Sequence, residues 1–181
     1  MTGKLVHKAR ENSVRLDGRD IVQFDLTTHT DARGGLTEVF RSSWSASAQI
    51  AKLDIERLGA NAVRGLWCYE HSAVWLALMA GRITVGLHDA REDSTAAERS
   101  TMLTLGPVAG LWLPPGVVFG YCCLEDALVM TGLATLPGCA PDSEPRRYRW
   151  NDPALGLNWP ELESAQCGTA NASQCREEGE C

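Results

Sequence analysis

Gly110-Leu111-Trp112-Leu113-Pro114-Pro115-Gly116-Val117-Val118-Phe119-Gly120-Tyr121-Cys122-Cys123-Leu124 holds two short apolar runs split by Pro-Pro-Gly. Proline fixes φ and lacks an amide hydrogen, so 114–116 ends one strand and cannot carry the ladder into the next. The same grammar extends both ways. Short apolar runs occupy 62–69, 73–80, 82–89 and 101–105 before the break and 127–135 after it, and Gly, Pro, Asp or Ser punctuate most of them. Many short strands with regular turns predict an all-β sandwich or barrel. Gly81 and Gly106-Pro107 fall where hairpin turns are expected.

Upstream, 20–26 alternates in part and reads as a strand. Thr30-Asp31-Ala32-Arg33-Gly34-Gly35 reads as a turn, and 36–41 as strand-like. The Ser- and Ala-rich stretch 43–53 is either a short helix or an irregular connection. Residues 1–18 are a polar lead-in. Residues 147–160, polar and aromatic, are expected to pack back on the barrel. From 161 onward Ser, Gln and Glu dominate with few large apolar residues, which predicts a flexible or loosely helical C-terminal tail. The reading is one β-domain over 1–160 and a tail over 161–181, with no internal repeat.

The chain has 181 residues, enough to bury a core, and its 44% hydrophobic and 22% charged residues are those of a soluble globular protein. A formal net charge of −6 disfavours nucleic acid and anionic membranes as partners. No apolar run approaches the ~20 residues that span a bilayer, and 1–12 lacks a signal-peptide core. The expectation is a cytoplasmic protein acting on a small molecule. Seven cysteines, with no CxxC pair, do not form a disulfide framework. Cys68, Cys122 and Cys123 lie in apolar runs and read as small buried hydrophobes. Four scattered histidines (His7, His29, His71 and His88) supply no His-x-His pattern, so no metal and no other cofactor is expected.

Asn61-Ala62-Val63-Arg64-Gly65-Leu66-Trp67 resembles the Asn-Val-Leu-Arg-Gly-Leu-His element of the dTDP-4-keto-6-deoxyhexose 3,5-epimerases (the dTDP-4-dehydrorhamnose 3,5-epimerase family), which are cupins. Asp31-Ala32-Arg33-Gly34 with Glu38 resembles a second element of that family. Gly81 with Asp89-Ala90-Arg91 and Ser94-Thr95 resembles a third, and Leu111 to Gly116 with Gly120 a fourth. Trp150-Asn151-Asp152-Pro153 with Trp159-Pro160 resembles the closing element. Five pieces in order, spanning 31–160, imply a cupin-type β-barrel, or jelly roll, with short helices. The resemblance also implies a homodimer that exchanges N-terminal strands.

The family's reaction removes a proton α to a ketone and returns it on the other face, which needs a base, an acid and a cation near the carbonyl. On the resemblance, the family's histidine base falls on Trp67 and its lysine on Val74. Its aspartate falls on Val85 and its second histidine on Phe119. Its tyrosine falls on Gly132 or, one residue displaced, on Thr131, and its C-terminal aspartate falls near Gln166-Cys167. Each replacement removes a proton-carrying group. Trp67, Trp75, Phe119, Val74, Val85 and Gly132 would line an aromatic, apolar cavity. Arg33 and Arg64 match the family's diphosphate-binding arginines, and Glu38 matches the residue that reads the thymine edge. Asp54 and Glu56 stand where the family has Asn/Gln contacts and would repel a diphosphate.

Tyr69 shares a strand face with Trp67, and Tyr121 shares one with Phe119. With Glu38 they are the candidate proton donors or acceptors. Arg33 and Arg64 serve either as anion ligands or as structural partners of Glu38 or Asp89. Three functions follow. The first is a scaffold repurposed to cyclise or isomerise a largely apolar natural-product intermediate in secondary metabolism, by shape and hydrogen bonding. The second is an altered-specificity epimerase of dTDP-4-keto-6-deoxysugars using a remaining tyrosine. The third is a non-catalytic binding or scaffold homologue.

Overall fold

The computed structural model describes residues 10–16, 19–42, 49–92, 99–136, 138–140, 142, 144–160 and 166–167. In chain order the strands are β1 (Arg10–Leu16), β2 (Arg19–Asp25), β3 (Thr28–Asp31), β4 (Gly34–Thr37), β5 (Gln49–Leu58), β6 (Ala62–Cys68) and β7 (Ser72–Ala80). They continue with β8 (Ile83–Asp89), β9 (Ser100–Leu105), β10 (Ala109–Leu113), β11 (Val117–Cys123), β12 (Ala127–Thr135), β13 (Arg146–Arg147) and β14 (Gln166–Cys167). One sheet runs β1-β2-β10-β7-β12-β5. The other runs β13-β6-β11-β8-β9, with β14 added beside β6, and β3-β4 is a separate hairpin. Every pairing is antiparallel except that of β14 with β6.

The main core lies between the two sheets. Val74, Leu76 and Leu78 of β7, Leu111 and Leu113 of β10, and Val129 of β12 meet Ile83, Val85 and Leu87 of β8 and Val117, Phe119 and Tyr121 of β11. Each set repeats at every second residue, the period of a strand that buries one face. β7 is apolar on both faces because its other face is also covered. There Trp75 packs its ring edge-on to Phe24, with centroids 5.2 Å apart, and meets Phe40 at 5.8 Å. Gly110 makes room for this indole, since a Cβ there would lie 2.4 Å from the ring. The outer face of the second sheet carries Leu66, Cys68 and Val118, capped by Leu155, Tyr148 and Trp159 of the C-terminal segment. A 3-10 turn at Pro153–Leu155 holds that segment, with Asp152 accepting from the Ala154 amide and Gly156 closing at φ 60°. The packing of 147–160 onto the sheet is as the sequence predicts.

The all-β class and seven strand positions from residue 62 onward match the sequence reading, with several differences elsewhere. The polar residues 10–16 are not a lead-in but strand β1, stabilised by its backbone ladder to β2. The second half of 43–53 is the start of β5, not helix, and 43–48 lies outside the described residues. The described helical structure is 3-10 only, with no α-helix among the described residues. Gly106-Pro107 joins β9 of one sheet to β10 of the other, so it is a crossing and not a hairpin turn. Most of the expected flexible tail lies outside the described residues, but Gln166 and Cys167 pair with Ala62 and Val63.

Candidate active site: the seam between β5 and β6

β5 ends the first sheet, and a turn at 59–61 sends the chain directly into β6 of the second. The two strands therefore flank one seam between the sheets. On β5 the register sets Glu56 opposite Val129, Asp54 opposite Thr131 and Lys52 opposite Leu133. Val129 and Leu133 belong to the inter-sheet core, so the three charged residues face the second sheet. Leu53 and Ile55, between them, point away and are 56% and 68% exposed.

A register shift shapes the facing strand. Trp67 lies opposite Phe119 and Arg64 opposite Tyr121, with one extra residue accommodated between. Three-residue spacing would ordinarily send Arg64 and Trp67 to opposite faces, but the bulge restores both to the inner one. Gly65 makes this local path available. Its φ is +101°, and a Cβ would lie 2.7 Å from the Gly120 Cα.

Glu56, Arg64, Trp67 and Tyr121 converge at this seam. The Tyr121 hydroxyl donates to Glu56 Oε2 at 2.8 Å, and Arg64 Nε lies 3.5 Å from the same oxygen. Tyr121 is fully buried, while the side chains of Glu56 and Arg64 are 35% and 37% exposed. Burial first, and then the Glu56 charge, pushes the Tyr121 phenol far above its usual value. It therefore stays protonated and acts as a donor. Trp67 closes one side, 5.7 Å from Phe119 and 6.4 Å from Tyr121 between ring centroids. Toward the other end, Lys52 pairs with Asp54 at 2.7 Å. Tyr69 is half-buried beside them, its phenol raised chiefly by burial, with Lys52 opposing.

Of the residues singled out from sequence, Trp67, Tyr69, Phe119, Tyr121, Val74, Val85 and Arg64 lie on the inner faces. Val74, Val85 and Phe119 are packed core and nearly inaccessible, so they form the floor of the seam. Trp75 does not join them. Adjacent strand residues point to opposite faces, and Trp75 lies in the outer layer against Phe24. Gly132 is likewise outward, opposite Trp75 and Leu53, whereas Thr131 faces Asp54. Arg33 is not brought to Arg64. It sits on the β3-β4 hairpin, 89% exposed, gripped by Asp31 through its backbone and guanidinium. Glu38 is engaged by Arg41 at 2.8 and 2.7 Å. The Asp89–Arg91 pair is structural: a buried bidentate ion pair at the end of β8. Glu56 is the site residue that the catalytic candidates from sequence leave out. Its signal is the alternation Lys52-Leu53-Asp54-Ile55-Glu56, charged on one face and apolar on the other.

Comparison with known proteins adds four findings. The family model for dTDP-4-dehydrorhamnose 3,5-epimerase matches residues 15–174. A dTDP-4-dehydrorhamnose 3,5-epimerase of Sinorhizobium fredii is 31% identical over 156 residues, covering 80% of this chain and 78% of the relative. Another, of Neisseria gonorrhoeae, is 27% identical over 139 residues, covering 72% of this chain and 42% of the relative. Among solved structures, dTDP-6-deoxy-D-glucose-3,5-epimerase of Legionella pneumophila, in complex with dTDP-4-keto-L-rhamnose, matches the fold with a TM-score of 0.74 at 18% identity, covering 91% of each chain.

Proposed function

The chain belongs to the dTDP-4-dehydrorhamnose 3,5-epimerase family, and on that premise we propose that it is an altered-specificity member. It exchanges a proton next to the ketone of a dTDP-linked 4-keto-6-deoxysugar. The observation that carries this reading is the gathering of Glu56, Arg64 and the protonated Tyr121 beside Trp67 in one partly open seam. Proton transfer α to a ketone needs a proton acceptor, and charge developing on the carbonyl oxygen needs a cation or donor. The seam holds one of each. Trp67 occupies the place of the family's histidine, so the reaction runs without that base. The core residues Val74, Val85 and Phe119 keep the floor dry, and exclusion of water strengthens the remaining polar contacts.

A thermal-shift titration with TDP tests the reading, because a ligand that binds only the folded state raises the melting temperature with concentration. The predicted result is a dose-dependent rise. No shift at millimolar TDP overturns it.

A second reading rests on the tilted Trp67–Phe119 pair. An aromatic wall over an aliphatic floor suits a flat, apolar natural-product intermediate, held for cyclisation or isomerisation by position. An apolar small molecule retained in native mass spectrometry, with no response to TDP, would favour it over the first.

A further inference from the structure

Glu56 is anchored through one of its two oxygens. Resting on the proton-exchange reading above, we propose that Glu56 is the catalytic base of this chain. Oε2 accepts from Tyr121 and faces Arg64 Nε, while Oε1 has no hydrogen-bond partner among the described residues. A carboxylate fixed through one oxygen presents the other in a set direction, which is the arrangement a base needs to meet a C–H bond repeatedly.

The competing groups at the seam are less suited. Tyr121 is buried and keeps its proton, so it donates. Burial also raises Tyr69. Cys123 is fully buried, with its thiol pushed up to about 11, chiefly by burial. Asp54 is tied to Lys52 and half-exposed. His88 pairs with Val118 in register and so lies on the outer face of the second sheet. Among the described residues, Glu56 is the charged acceptor that lies inside the seam and stays partly exposed.

The step is balanced within these groups. Glu56 Oε1 takes the proton from the carbon beside the ketone. The C–H electron pair forms the carbon–carbon double bond, and the carbonyl π pair moves onto oxygen as the enolate. Negative charge passes from Glu56 to the enolate, and the Arg64 guanidinium stays beside it. The electron pairs then return, and the carbon takes a proton back either from Glu56 on the same face, which exchanges without inversion, or from water on the opposite face, the hydroxide so formed taking the Glu56 proton, which inverts the centre. In D2O the carboxyl exchanges between the two events, so deuterium appears on carbon.

The test follows deuterium incorporation into dTDP-4-keto-L-rhamnose in D2O, by NMR, for wild type, Glu56→Gln and Glu56→Asp, with TDP melting shifts measured in parallel. Glu56→Gln is predicted to slow incorporation by about 10²–10⁴-fold and to keep or enlarge the TDP shift, since it removes a charge that repels the diphosphate. Glu56→Asp, one methylene shorter, is predicted to fall between, and it decides the question if the glutamine variant fails to fold. Tyr121→Phe is predicted to lower kcat and leave KM unchanged, which general loosening of the fold would not do. Wild-type-like incorporation by Glu56→Gln, or by Glu56→Asp if it alone folds, overturns the assignment and leaves the proton-exchange reading intact. No incorporation by wild type above a protein-free control overturns both.

Discussion

The phenol of Tyr121 on β11 donates to the carboxylate of Glu56 on β5 at 2.8 Å, tying the second sheet to the edge strand of the first. Tyr121 is buried and Glu56 only partly so. The bond therefore stabilises the sandwich as well as shaping its seam. Replacing Tyr121 with Phe keeps the ring and removes the donor. A hydrogen bond to a charged group is worth roughly 1.5–3 kcal/mol, less where water can replace the donor. Urea unfolding of Tyr121→Phe should show a loss of about 1–2 kcal/mol. Unchanged stability would mean that the bond does not persist in solution.

The buried pair Asp89–Arg91 should be far less tolerant. Asp89 is 1% and Arg91 10% exposed in their side chains. Removing one partner strands the other charge away from water, a loss of about 3–5 kcal/mol. Asp89→Asn should lower the melting temperature sharply. A shift no larger than that of a surface substitution would contradict the placement of the pair.

His88 supplies a pH dependence. Its ring contacts the Ser100 hydroxyl at 2.8 Å beneath the C-terminal segment, and burial holds its pKa below the ordinary 6.5. The unfolded chain then binds a proton more readily than the folded one. The stabilisation is complete above pH 6.5 and is lost as pH falls from there toward the folded value. Melting from about pH 7.5 to about pH 5 should destabilise wild type more than His88→Gln. Equal slopes would remove His88 from the account.

Leu53 and Ile55 leave an apolar strip on the outward face of edge strand β5. We expect the homodimer implied by the family resemblance, with a second copy covering that strip, so light scattering should report twice the chain mass. Leu53→Asp with Ile55→Asp should shift it toward the monomer. A monomeric wild type contradicts the expectation.

The strands were legible wherever glycine, proline and apolar runs punctuate the chain, as in 73–89 and 110–135. β1 was not, because its mostly polar sequence carries no clear strand pattern and only the fold shows its ladder to β2. Which face a residue takes was harder to read. β7 is apolar at every position after Ser72, so the run itself cannot say that Val74 looks inward and Trp75 outward. On β6 the bulge at Gly65 breaks strict alternation and turns both Arg64 and Trp67 inward. Arg33 and Glu38 carry the family pattern, yet their ion pairs lie on the hairpin and its flank. Glu56 was visible in the period-two alternation of β5, but only the fold shows that this face meets Tyr121.

The measurement closest to the central claim is carbon-bound deuterium in dTDP-4-keto-L-rhamnose after incubation with the wild-type protein in D2O. Incorporation next to the ketone, well above the protein-free rate and suppressed by TDP, is the predicted result. Incorporation at the protein-free rate would contradict it and leave the aromatic seam to a different ligand.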